Sequence, residues 1–212
     1  MAPAGGTHTA GRPVRLPRSA RRKQLLEAAQ EVFVAQGYHA AAMDDIAERA
    51  GVSKPVLYQH FPGKLELYLA LLDVHCDALV DKVRTAMAFT TDNKLRVAGA
   101  MQAYFEFVDH ESEAFRLVFE SDLRNDPAVR ERTDRVERGC IDAITETIMS
   151  DTGVSRARAE LLAAGLAGAA EIAARFWLTG GRQVPKEEAE KLVAALAWRG
   201  IASFPLQAER ED

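Results

Sequence analysis

The stretch Met43-Asp-Asp-Ile-Ala-Glu-Arg-Ala-Gly-Val-Ser-Lys-Pro-Val-Leu-Tyr-Gln-His-Phe61 decides the fold. Ile46, Ala47 and Ala50 recur at helical spacing and make one apolar face. Gly51 can take the left-handed conformation that ends this helix, and Ser53 can cap the next. Val56 and Leu57, with Phe61 four residues further on, carry the inward face past the turn. Pro55 falls in the first turn of the second helix, where its missing N–H costs nothing. Two short helices joined by a turn containing glycine form a helix-turn-helix, whose second helix enters the major groove of DNA.

Outward from this motif the pattern is helical throughout. Residues 1–18 hold glycines, prolines and arginines with almost nothing to bury, and are predicted to be a flexible basic arm. A first helix is predicted over about Ser19–Gln36, with Leu25, Leu26, Ala29, Phe33 and Val34 inward and Gly37 as its stop. After the motif, Leu65, Tyr68, Leu69, Leu72, Cys76, Leu79 and Val83 predict a long helix from about Lys64 to the region of Ala88. Asp92 can cap a helix reaching about Asp109, and Glu111 to Leu123 makes a shorter one. Asn125-Asp-Pro127 starts another, ending near Asp151-Thr-Gly153. Ser155 to Leu178 is alanine-rich and closed by Gly180-Gly181. Pro185 opens the last helix, which fades near Phe204-Pro205. The prediction is an all-α chain of about nine helices: the arm (1–18), a three-helix DNA-binding domain with the helix-turn-helix (19–66), and a larger helical bundle (67–212).

Composition bounds the function. At 48% hydrophobic and 27% charged residues, the 212-residue chain can bury a core and is not of the disordered class. No uninterrupted apolar run approaches the ~20 residues of a membrane span. No apolar segment follows the N-terminal arginines as in a secretory signal. A cytoplasmic protein without membrane association is expected. Charge is divided unevenly: residues 1–64 carry nine basic and five acidic side chains, a net of +4, whereas 65–212 carry 18 and 26, a net of −8. A basic front on an acidic body suits a protein that offers one end to nucleic acid. Cys76 and Cys140 lie far apart among helical apolar positions and are expected to be buried, reduced thiols. An enzyme is not expected. His75 and Cys76 are adjacent and so do not share a helix face, the five histidines show no metal-ligand spacing, and there is no glycine-rich phosphate loop. No cofactor or metal is expected.

The second helix of the motif presents Lys54, Pro55, Val56, Tyr58, Gln59 and His60. Lysine can donate to guanine and glutamine can pair with adenine, while Pro55 and Val56 are small enough to touch a thymine methyl. Base contacts are expected chiefly from Lys54, Val56 and Gln59. The arginines at 12, 15, 18, 21 and 22 read either as a solvated tail or as an arm reaching the minor groove.

Ala28, Phe33, Gly37-Tyr38, Ile46-Ala47, Ala50-Gly51-Val52-Ser53, Leu57-Tyr58, His60-Phe61, Lys64 and Leu67 together resemble the DNA-binding domain of the TetR family of bacterial transcription regulators. The resemblance covers about Arg21 to Leu72. It departs at Ala41 and Ala42, where the family often has a Thr or Ser that caps the helix and touches a phosphate. The resemblance implies that Tyr58, His60 and Lys64 grip the DNA backbone, and Met43 and Arg21 complete the expected contact set. It also implies a homodimer on a palindromic double-stranded operator, through a four-helix bundle of the last two helices of each copy. Half-sites would be spaced in multiples of ~34–36 Å. Small residues in Ala163-Ala-Gly-Leu-Ala-Gly-Ala-Ala170 would permit close approach there. Leu161, Leu166, Ile172, Phe176, Trp177, Leu192, Leu196 and Trp198 would supply apolar area.

The middle helices are apolar nearly all round, which from sequence alone means a closed core. The resemblance turns that core into an effector cavity, with Met101, Tyr104, Phe105, Val108, Phe119, Ile141, Ile144 and Leu166 as candidate lining. Sparse polar residues suit a lipid-like or aromatic molecule. Arg175 could anchor an anion, or simply pair with Glu171 four residues before it. Further motifs through the body, among them Thr90-Thr-Asp-Asn93, Cys140-Ile-Asp-Ala143 and Arg175-Phe-Trp-Leu178, resemble FasR-type regulators of fatty-acid synthesis. That resemblance implies a long-chain acyl-CoA effector and activation of fatty-acid synthase genes. The alternative is a repressor of an efflux or catabolic operon that senses an aromatic or other apolar molecule.

Overall fold

Each helix begins and ends where local chemistry requires. The computed structural model describes residues 16–110, 123 and 125–200, and among them there are eight helices and no strand. They are α1 (Arg18–Ala40), α2 (Met43–Arg49), α3 (Lys54–His60), α4 (Lys64–Ala88), α5 (Asn93–His110), α6 (Pro127–Thr152), α7 (Arg156–Thr179) and α8 (Lys186–Arg199). The helix expected over Glu111 to Leu123, most of the arm, and the expected end near Phe204-Pro205 lie outside the described residues.

The turn of the helix-turn-helix is a Schellman motif. Gly51 sits at φ +64, its N–H reaches the Glu48 carbonyl, and the Val52 N–H reaches back to Ala47. The Ala50 carbonyl, orphaned at the end of α2, accepts from the Gln24 side chain at 2.8 Å, which ties α1 to the turn. At the other end of α2 the Asp45 carboxylate accepts the Ala42 N–H at 3.4 Å, the N3 half of a capping box whose other half the Ala42 methyl cannot make. Ser53 occupies the N-cap position of α3, but its hydroxyl makes no cap bond. Pro55 has no N–H to offer it, and the Val56 N–H is already taken by the Ser53 carbonyl. Preset proline backbone and the inward anchors Leu57 and Phe61, 0% and 2% exposed, hold α3 instead. Asp92 caps α5 and Asp126 caps α6, and Gly153 ends α6 at φ +68.

Gly37 ends the first helical run as expected: at φ +77 and ψ 163 it is non-helical, and a short second run continues to Ala40. Two contacts hold the kinked end: Tyr38 packs against Phe33 and Tyr68, and the Lys64 ammonium donates to the carbonyls of Tyr38, His39 and Ala41 at 2.8, 3.2 and 2.8 Å. Lys64 opens α4, which packs against α1 near its start and against α5 and α6 beyond. The boundary expected at residue 66 therefore falls inside one continuous helix. α7 packs on α5 and α6 through Ala159, Ala163, Ala167, Ala170 and Ala174, all 5% exposed or less.

Candidate nucleic-acid interface and effector cavity

On α3, Lys54, Pro55, Tyr58 and Gln59 are exposed together, as a surface that reads DNA requires. Val56 and His60 are half-buried and border a hollow of about 640 Å³ with Leu16, Arg18, Arg21 and Gln59. Lys54 is ion-paired to Asp44 of α2 at 2.5 Å, and that carboxylate raises its pKa. Arg18, Arg21 and Arg22 belong to the first turns of α1, whereas Arg12 and Arg15 lie outside the described residues. Arg21 donates to Gln24 at 2.8 Å and Arg22 covers the Phe61 ring at 4.4 Å. Partial burial lowers the pKa of His60, and Arg18, Arg22 and Arg21 push it the same way. The end of α3 is therefore a basic corner made by two helices.

Two residues of the expected DNA contact set are engaged within the protein. Met43 is 9% exposed, its side chain packed into the core at the start of α2. An ammonium has three donors, and those of Lys64 rest on three carbonyls of α1. Asp44, which orients Lys54, was not singled out in the sequence, because its partner lies ten residues away across the turn.

In the body, α4 to α8 line a cavity of about 510 Å³ that opens to the surface beside Leu161 and Leu162. Met101, Tyr104, Ile144 and Leu166 line it as expected, with Met87, Val97, Ile148, Leu161, Leu162 and Trp198 besides. Phe105 turns the other way, against Trp177 at 5.7 Å between centroids. Val108 lies a turn beyond Tyr104 and is buried in solid core, and Ile141 packs against the core a turn before Ile144. Phe119 lies outside the described residues. The polar wall residues Asn93, Arg96, Thr147, Asp151 and Thr152 gather where α5 begins and α6 ends, while Tyr104 stands at the far end. Arg96 is the only basic group among the described lining residues. It pairs with Asp151 at 2.6 Å and donates to the Thr90 carbonyl and to Asn93. Arg175, in contrast, is half-buried, does not line the cavity and pairs with Glu171 at 3.8 Å.

The outer side of α7 is apolar and open. Leu161, Ile172 and Phe176 are 76%, 59% and 76% exposed, and Leu192, Leu196 and Trp198 of α8 are also exposed. α7 is long and apolar enough by length and composition to cross a membrane, at a mean hydropathy of 1.4. One side of it is nevertheless committed to α5 and α6 through the buried alanines. Nothing lies within 4 Å of a Cβ on Gly165 or Gly168, and the space beside them belongs to the cavity and to a small neighbouring recess respectively. Trp177 does not join this face, and the face runs into the rim of the cavity, which Leu161 and Trp198 line together with Leu166. Trp177 is 8% exposed with its indole N–H on the Val184 carbonyl, and Leu166 turns toward the cavity. Both thiols are buried, and burial pushes Cys76 up to about 12 and Cys140 to about 11.

Comparison with known proteins follows these two regions. The sequence profile described as bacterial regulatory proteins, tetR family, matches residues 25–71. The profile described as tetracyclin repressor-like, C-terminal domain, matches residues 94–200. The HTH-type transcriptional activator FasR of Mycolicibacterium smegmatis is 48% identical over 204 residues, covering 96% of this chain and 92% of the relative. Among solved structures, a TetR-like transcriptional regulator from Rhodococcus sp. RHA1 superposes with a TM-score of 0.70 at 28% identity, over 90% of this chain and all of that one. FadR of Bacillus subtilis, solved with stearoyl-CoA, superposes at 0.70 over 84% of this chain and 98% of its own, and at 19% identity that likeness is one of fold.

Proposed function

Since the chain belongs to the tetR family of bacterial regulatory proteins, whose members here are transcription regulators and not enzymes, we propose that it controls lipid genes in response to a long-chain acyl-CoA. It would act in the cytoplasm as a homodimer on a palindromic duplex. The observation that carries the effector reading is the shape of the cavity. It follows α5 from Asn93 to Tyr104, eleven residues or about 16 Å at 1.5 Å per residue. It is apolar along that length and polar at one end only. Such a space fits a single-chain amphiphile with an anionic head, which would exchange with Asp151 for the Arg96 guanidinium. A compact aromatic effector, as an efflux or catabolic repressor would bind, leaves most of that length unfilled. The resemblance to FasR over nearly the whole chain supports the lipid reading.

On DNA, Lys54, Pro55, Val56 and Gln59 of α3 take the base edges. Tyr58, His60 and the arginines at the start of α1 take phosphates on either side. The two copies join through the open faces of α7 and α8. Native mass spectrometry of the purified protein, followed by operator binding with and without palmitoyl-CoA, tests the whole reading. A dimer whose DNA affinity shifts with the acyl-CoA is the expected result. Operator binding indifferent to acyl-CoA, with no acyl chain co-purifying, would refute the lipid assignment and leave the DNA assignment standing.

A further inference from the structure

Beside the Tyr104 end of the effector cavity lies a second, much smaller recess of about 20 Å³, between α4, α5, α6 and α7. Leu79, Val136, Cys140 and Gly168 form its walls, and Glu137 and Glu171 border it. Among the described residues, Tyr104 and Ala167 alone line both spaces. The partition is thus one aromatic ring from α5 set beside the small side chain of Ala167 on α7. Tyr104 is 5% exposed and held by packing, with the Cys140 thiol among the walls on the recess side.

Resting on the acyl-CoA reading above, we propose that Tyr104 is a septum that sets the longest chain the main cavity accepts. Shorter chains end against the ring. Longer ones displace it and thread their methyl end into the recess past Cys140 and Gly168. Charge fixes the direction of entry. The guanidinium of Arg96 lies at the opposite end, while the carboxylates of Glu137 and Glu171 beside the recess disfavour an anionic head there. The partition is a specificity element because a larger shared cavity admits carbons that the ring now excludes, each worth a fixed increment of burial.

The test is the affinity of the full-length protein for saturated acyl-CoAs from twelve to about twenty-four carbons, measured by calorimetry on wild type, Tyr104→Phe and Tyr104→Leu. Wild type should gain affinity with each added pair of carbons up to a limit and lose the gain beyond it. Tyr104→Leu should move that limit to longer chains and bind the longest at least about tenfold tighter than wild type. Tyr104→Phe keeps the ring and should keep the wild-type limit. If Tyr104→Leu does not fold by circular dichroism, Tyr104→Met is read in its place. One length limit shared by all the folded proteins overturns the septum and leaves the effector class intact. Failure of wild type to bind any member of the series overturns both.

Discussion

Replacing Lys64 by Met separates two roles that the same residue type could play. Methionine keeps most of the apolar stem and removes the ammonium, so the Tyr38, His39 and Ala41 carbonyls lose their donor. Charged hydrogen bonds contribute about 1.5–3 kcal/mol each when buried. Here the His39 bond is exposed and the other two only partly buried, so water recovers much of the loss. A net destabilisation of about 2 kcal/mol is expected. For a chain of this size that is a fall in Tm of about 4–8 °C, read at fixed protomer concentration because a dimer's Tm depends on it. The second measurement is operator affinity against salt by fluorescence anisotropy. A clasp on α1 contributes no counterion release, so the slope of log K against log salt should not change. A phosphate contact would lower that slope by about 0.9. An unchanged Tm together with a slope lower by that amount would refute the clasp and restore the phosphate role that the family resemblance implies.

Gln59→Ala should relax preference at one base position by about 1–3 kcal/mol while nonspecific binding stays the same, read by anisotropy across single-base operator variants. Phe176→Arg should give monomers by analytical ultracentrifugation with circular dichroism unchanged, since that side chain is 76% exposed in the protomer. A dimer of normal affinity would remove this part of α7 from the interface. His60 has a lowered pKa in the free protein, from burial and the nearby arginines. A phosphate beside it raises that pKa, so binding takes up a proton and operator affinity should increase as pH falls through the histidine range. Calorimetry in buffers of different ionisation enthalpy should detect that uptake, and its absence would place His60 away from the backbone.

What could be read from the sequence was local. Gly51, Asp92, Asp126-Pro127 and Gly153 act on backbone groups within four residues, so the spacing of residue types already contains the contact. Ser53 shows where this fails, because its capping role was cancelled by a neighbour, Pro55, that also favours the helix. The effector wall was half legible for a related reason. Apolar periodicity marks a helix as buried all round but does not say which buried face meets a void. Met101 and Tyr104 look into the cavity while Phe105, one position along, is rotated about 100° toward Trp177. Arg96 and Asp151 are 55 residues apart in sequence, so nothing in either neighbourhood signals that they meet.

The two halves of the molecule are linked mechanically by α4. At about 1.5 Å per residue its 25 residues span roughly 37 Å. Met87 near its last turn lines the cavity, and Lys64 in its first turn holds the kinked end of α1. Midway, Asp73 pairs with Arg132 at 3.1 Å and Arg135 at 2.6 Å on α6, whose other end supplies Ile144, Ile148 and Asp151 to the same cavity. An occupant that spreads the α5–α6 end of the cavity therefore loads α4 directly at Met87 and again through the Asp73 pairs. Because α4 is one continuous helix, that load reaches the α1 kink and, through the Gln24 bond to the turn, the base of α3. In the proposed dimer the separation of the two α3 helices sets the half-site spacing that is read, so this path would carry occupancy of the cavity to operator affinity.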